Sequence, residues 1–182
     1  MANSNRTEIY IEGSKEAIDN FVERFDKCHD GPYPNQLEKP HIVDEFGADS
    51  ESYIDKVGSK WVHIWDEGLY HSSDNRCEIY LDSAWYPPSD MILEIYRQMA
   101  EIDDEIKVSG KYWDEGYKPI GVFEVYYGQI IEEEYHDLDE SEWDDKVEAE
   151  GESEYDRNFW EEEVEPAFEI IQNKLDKVMK EI

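Results

Sequence analysis

Thr7-Glu8-Ile9-Tyr10-Ile11-Glu12-Gly13-Ser14 opens the part of the chain that decides its fold. Polar and apolar residues alternate up to Glu12, the period of a strand with one buried face, and Gly13 ends it. Ser14 can cap a helix, and Ala17, Ile18, Phe21, Val22 and Phe25 follow at spacings of three and four. A strand is therefore joined directly to an amphipathic helix. The rest of the chain has to supply what the two pack against.

Residues 28–48 contain Pro32, Pro34, Pro40, Gly31 and Gly47 and read as a long loop. Residues 50–57 are expected to form one or two helical turns. Lys60-Trp61-Val62-His63-Ile64-Trp65 and Cys77-Glu78-Ile79-Tyr80-Leu81-Asp82 are rich in strand formers, with Gly68 to Asn75 as the turn between them. Pro87 and Pro88 close the second strand, and Ser89 can cap the next helix. The apolar stripe of that helix is Met91, Ile92, Ile95, Tyr96 and Met99. Strands follow at Ile106 to Trp113 and Ile120 to Tyr127, joined through Gly116 and Pro119, then a short one from Gln129 to Tyr135. The order strand, helix, strand, strand, helix, strand, strand is read as the plan of an α+β, ferredoxin-like split β-α-β domain with an antiparallel sheet. At the C-terminus, Trp160, Val164, Phe168, Ile171, Leu175, Val178 and Ile182 recur at helical spacing, close to a heptad seam. Pro166 sets the helix start near 166 or kinks it there. The seam is read first as a terminal helix packing on its own domain, and second as a homodimer contact. The expected division is a ferredoxin-like domain over 1–130 and an acidic extension with a C-terminal helix over 131–182.

The chain has 182 residues and 21.6 kDa, about one domain's worth. Forty-eight Asp and Glu oppose 17 Lys and Arg, a formal net charge of −31. Aromatic residues at 14% argue that most of the chain folds, since disordered acidic chains are poor in them. The charge excludes bare nucleic acid and anionic membranes as partners. No apolar run approaches the roughly 20 residues that span a bilayer, and MANSNRTEIY lacks a signal-peptide stretch. Two cysteines, Cys28 and Cys77, give no disulfide framework, so a cytoplasmic location is expected. The acids are unevenly placed. Residues 132–165 hold 18 of them against Lys146 and Arg157, whereas 166–182 balance at three and three.

Several segments resemble a YubB-type ferredoxin-like family carried by phages and plasmids. The opening strand and helix are similar to its start. Gly58-Ser59-Lys60-Trp61 resembles its Gly-Thr-Lys-Trp element, and Leu81-Asp82-Ser83-Ala84-Trp85-Tyr86-Pro87-Pro88 its Thr-Ala-Trp-Ser-Pro-Pro element. Tyr112-Trp113-Asp114-Glu115-Gly116 and the later Gly121 are similar to its Tyr-x-Glu-x-Gly and following Gly. These segments come in family order over residues 7–128. The acidic stretch after 128 departs from the family, as does the lack of a Trp-Cys-Asn opening. The resemblance implies a fold and a mobile-element origin, and no catalytic residues.

The histidines at 29, 41, 63, 71 and 136 show no metal-ligand spacing with either cysteine, and no nucleophile or phosphate-loop motif is present. No catalytic residue, cofactor or metal is therefore assigned. Trp65-Asp66-Glu67-Gly68 recurs as Trp113-Asp114-Glu115-Gly116. The favoured reading is two turns at strand ends with Gly in a left-handed position, and the alternative is a carbohydrate-binding or hydrolytic site. Asp137, Asp139, Ser141, Trp143, Asp145 and Glu148 fit the ligand spacing of an EF-hand loop, but Glu142 stands where that loop needs Gly. Trp61, Trp85 and Trp113 are expected to be structural.

The acidic stretch is the main functional signal. Tyr135, Leu138, Trp143, Val147, Tyr155, Phe159 and Trp160 are interleaved with its acids, so apolar anchors can hold carboxylates in fixed positions. B-DNA carries one phosphate per about 1.7 Å of axis, and a comparably dense folded surface can compete for a basic groove. The expected function is a non-enzymatic, phage-encoded DNA mimic that inhibits a host nucleic-acid-handling defence system, anti-CRISPR or anti-restriction. Its expected partner is a host protein with a basic nucleic-acid-binding groove. The expected partner-binding residues are Glu132, Glu133, Glu134, Asp137, Asp139, Glu140, Glu142, Asp144, Asp145, Glu161, Glu162 and Glu163. The competing reading is a solvated acidic tail on a structural domain.

Overall fold

A computed structural model describes residues 4–25, 42–46, 58–59, 61–138 and 158–182. The expected helical turns at 50–57 and all but the first two residues of the EF-hand-like stretch lie outside them. Within them the fold is α+β, built on an antiparallel sheet. β1 is Ser4–Glu12 and leads through Ser14 into α1, Lys15–Phe25. The Ser14 hydroxyl accepts the Ala17 N–H at 3.3 Å, as expected of a cap. α2, Ile42–Phe46, forms inside the stretch read as a loop. Prolines and glycines outweighed its short apolar pair in the sequence, yet Ile42 and Val43 are buried in the main core. β2 is Val62–Ser73 and β3 is Arg76–Ala84. α3 is Ser89–Ala100, β4 is Lys107–Asp114, β5 is Ile120–Tyr126 and β6 is Gln129–Tyr135.

The sheet order is β2-β3-β1-β4-β5-β6, every pairing antiparallel. Alternation sorts the strands' two faces. Ile9 and Ile11 of β1 and Ile79 and Leu81 of β3 turn to one face and meet Ile18 and Phe21 of α1 and Ile92 and Ile95 of α3. On the opposite face a second core joins Trp113, Ile120 and Val122 to Phe159, Val164, Phe168, Ile171 and Leu175. That core is closed by the C-terminal helix, which packs on β5 and β6. It begins with a π-helical turn, Trp160–Val164, and continues as α4, Glu165–Glu181. The regular α-helix thus begins at Glu165, near the expected start at Pro166, and continues the π-helical turn before it. Most of the heptad-like seam is buried on the chain's own sheet, so a homodimer through this helix would have to use another face. The expected boundary at 130/131 falls inside β6, which pairs with β5 along its length.

Two turns differ from the reading of the sequence. β2 does not end at Gly68. It runs on to Ser73, with register shifts between Ile64 and Leu69 and between His71 and Ser73. A Cβ on Gly68 would stand 2.6 Å from the Trp65 carbonyl oxygen and 2.7 Å from that of Tyr80, so the bulge closes only over glycine. In the second Trp-Asp-Glu-Gly segment the left-handed residue is Tyr117, φ 55°, rather than Gly116. Asp114 accepts the Gly116 N–H at 2.8 Å and closes that turn. Ser89 is the first residue of α3 rather than its cap; Pro88 holds the cap position without a side-chain bond.

Candidate functional site

Strand geometry divides the acidic triplet that the sequence presents as one block. Successive residues of β6 point to opposite faces, so Glu132 and Glu134 turn toward α3 and Glu133 turns toward the C-terminal helix. Glu161, Glu162 and Glu163 are exposed on the π-helical turn, and Asp137 is exposed just after β6. The turn is fixed from below. Trp160 lies edge-on to Trp113 at 5.0 Å, Phe159 is buried against Tyr117, and the Trp160 indole donates to Glu165 at 3.1 Å. Since the helix packs on β5 and β6, both acidic triplets belong to the same half of the sheet. Asp139, Glu140, Glu142, Asp144 and Asp145 lie outside the described residues.

Glu132 and Glu134 are held by a row of residues crossing three strands. Tyr112 of β4 is paired with Gly121 of β5, and Gly121 with Glu134 of β6. The tyrosine lies over the glycine: a Cβ at 121 would stand 2.2 Å from Tyr112 Cζ. Its hydroxyl donates to Glu134 Oε1 at 2.5 Å and reaches Glu132 Oε2 at 3.4 Å. The second oxygen of Glu134 meets His136 Nε2 at 3.1 Å. Burial, then the bond to Glu134 and the charge of Glu132, hold the Tyr112 phenol far above its usual pKa. Although Glu132 is exposed as a residue, burial of its carboxyl end raises its pKa, and the Glu134 charge raises it further.

These carboxylates line a cavity of about 310 Å³. Its walls are Ile92, Phe123 and Ile130, with Gly58, Ser89 and the Tyr86-Pro87 turn above them. The buried Ser59 hydroxyl clips the roof, accepting the Ala84 N–H and donating to the Ala84 carbonyl, both at 3.1 Å. Gly58 adopts φ +80°, and a Cβ there would stand 2.6 Å from Ser89 Oγ. Segments around Gly58, Tyr86, Tyr112 and Gly121, far apart in sequence, thus meet at one place. No basic side chain occurs among the described lining residues. A larger cleft of about 550 Å³ at the far end of β1 is polar and closes on itself: Arg76 pairs with Glu12 at 2.9 Å, and Asp103 accepts the Ser14 N–H at 2.5 Å.

The tryptophans divide as well. Trp113 is buried, as expected of a structural residue, with its ring against Trp160 and Phe168, so it offers no face to a sugar. Trp61 and Trp85 are 36% and 47% exposed, and Trp85 has φ 66°. They are surface residues, not core: β2 begins after Trp61, and β3 ends at Ala84 before Trp85. His63 and His71 are exposed on β2. Among the described residues no group of three His, Cys, Asp or Glu could hold a metal ion, and no helix is long and apolar enough to cross a membrane. No family model, curated protein or solved structure matches the chain.

The cavity was hidden in the sequence because Glu132 and Glu134 read as part of one acidic block, and the segments that wall them in lie far away along the chain. One signal pointed to it. Gly121 lies inside a strand, where a glycine marks the close approach of another group.

Proposed function

We propose that this chain is a non-enzymatic acidic binding protein that occupies the basic nucleic-acid-binding groove of a protein partner. One observation carries the reading. The carboxylates of β6 and of the Trp160–Val164 turn stand on elements anchored by a buried aromatic core, not on a solvated tail. With −31 net charge behind them, they present fixed negative charge on both faces of the β5–β6 half of the sheet, and a basic groove can engage one such face. The order β2-β3-β1-β4, with α1 after β1 and α3 after β3, supports a ferredoxin-like split plan extended by β5 and β6. Together with the resemblance of residues 7–128, it favours membership of the YubB-type family and a mobile-element source. A host nucleic-acid-handling defence protein, met in the host cytoplasm, is the partner class that suits both.

The test is capture from host lysate at low and high salt, followed by competition with duplex DNA. A partner released by DNA, whose association slows steeply as salt rises, supports the reading. Partners that DNA does not displace refute it.

A further inference from the structure

We propose that the cavity under the Tyr86-Pro87 turn is a socket for one arginine side chain of the partner. This rests on the reading of the chain as a ligand for a basic groove. The cavity, at about 310 Å³, is at the small end of ligand sites, roomy enough for one long side chain. Its chemistry is divided as an arginine is divided. Ile92, Phe123, Ile130 and Pro87 offer an apolar channel for the three methylenes, and Glu132 and Glu134 supply negative charge for the head. Tyr86, 60% exposed at the rim, offers a ring face on which a guanidinium can stack.

The two carboxylates have different parts to play. Glu134 is already held by Tyr112 and His136, so it fixes the field without rearranging. Among the described residues Glu132 has only the long 3.4 Å contact from Tyr112, and it remains able to accept the fork of a guanidinium. A lysine would bring the same charge but neither the planar fork nor the stack, so the socket prefers arginine. Glu161, Glu162 and Glu163 are exposed and unenclosed, and they attract basic partners without distinguishing the two.

The experiment titrates the full chain with a peptide carrying one arginine among neutral and lysine residues, its lysine-only counterpart, and free ethylguanidinium. Wild type is compared with Glu132→Gln, which is close to isosteric, with Ile130→Trp, which fills the channel, and with Glu161→Gln, which removes the same charge elsewhere. Far-ultraviolet circular dichroism confirms that each variant is folded. The expected result is an arginine preference of about tenfold in wild type and in Glu161→Gln, lost in Glu132→Gln and Ile130→Trp. Backbone resonances of Ser89, Ile130 and Glu132 should shift only with the arginine peptide. Equal weakening by Glu132→Gln and Glu161→Gln, with no arginine preference, overturns the socket and leaves the acidic-ligand reading standing. Salt-independent binding, or none to either peptide, overturns both. Ethylguanidinium binding as tightly as the peptide overturns the partner side chain as the occupant.

Discussion

Replacing Gly121 by Ala tests whether Tyr112 reaches Glu134 over a glycine. The new methyl would stand 2.2 Å from Tyr112 Cζ and 2.5 Å from both Cε1 and the hydroxyl oxygen. Tyr112 is 1% exposed and packed in the main core, so its ring must shift to make room for the methyl. Overpacking of this kind costs about 1–3 kcal/mol. Losing the hydroxyl's bond to an ionised partner costs about 1.5–3 kcal/mol more. The restricted unfolded chain returns about 0.4–1 kcal/mol. The expected loss is therefore about 2–5 kcal/mol, a large share of a typical domain's 5–15. Urea unfolding, followed by tryptophan fluorescence, should show a lower midpoint with an unchanged slope. The same substitution in a Tyr112→Ala background should then cost almost nothing, because the methyl has no ring to meet. A Gly121→Ala protein within about 0.5 kcal/mol of wild type, or the same loss in both backgrounds, would falsify the crossing.

Glu132→Gln should stabilise the protein at pH 7. The folded state raises the Glu132 pKa, so ionisation disfavours folding, and the penalty is complete above the folded pKa. The gain should disappear as pH falls below the ordinary glutamate value of about 4.3, which thermal melts across pH will show. Ile171→Ala should destabilise by about 2–5 kcal/mol and change the fluorescence of Trp113 and Trp160, since Ile171 is fully buried in the core they share. Cys77 is buried and its thiol is pushed up to about 12, so it should resist disulfide reagents at pH 8 until the protein is unfolded in urea. Tyr127→Asn should raise the melting midpoint. Tyr127 and Gly128 form the β5–β6 turn with φ 47° and 74°, where Asn-Gly is favoured by a few tenths of a kcal/mol or more.

The strands and the two long helices of the first hundred residues were legible because their apolar periods are clean and each buries one face. Ile9 and Ile11 of β1, and Phe21 and Phe25 of α1, lie where alternation and helical spacing put them. What escaped depended on register between strands. The Glu132–Glu134 triplet is one block of charge in sequence and two separate surfaces in the fold. The Tyr112–Gly121–Glu134 row requires three strands to be aligned, which no local pattern reports. The twin Trp-Asp-Glu-Gly segments look alike but lie in different settings. One is a bulge within β2, the other a turn after β4, and their tryptophans consequently meet different neighbours. Trp85 was expected to be structural because Pro87 and Pro88 read as the end of its strand, which stops at Ala84.

The two outer strands of the sheet also govern how the protein behaves in a concentrated solution. An outer strand offers unpaired N–H and C=O groups to any other chain. β2 spoils that offer by bulging twice, at Ile64–Leu69 and at His71–Ser73. β6 is regular throughout, and its defence is the glutamate triplet, which would meet a like triplet in any copy that added itself antiparallel about its centre. One outer strand is thus protected by shape at every pH, and the other by charge that acid removes. With a sequence pI near 4.2, the loss of this repulsion coincides with the loss of net charge. Acid-induced self-association should therefore begin at β6.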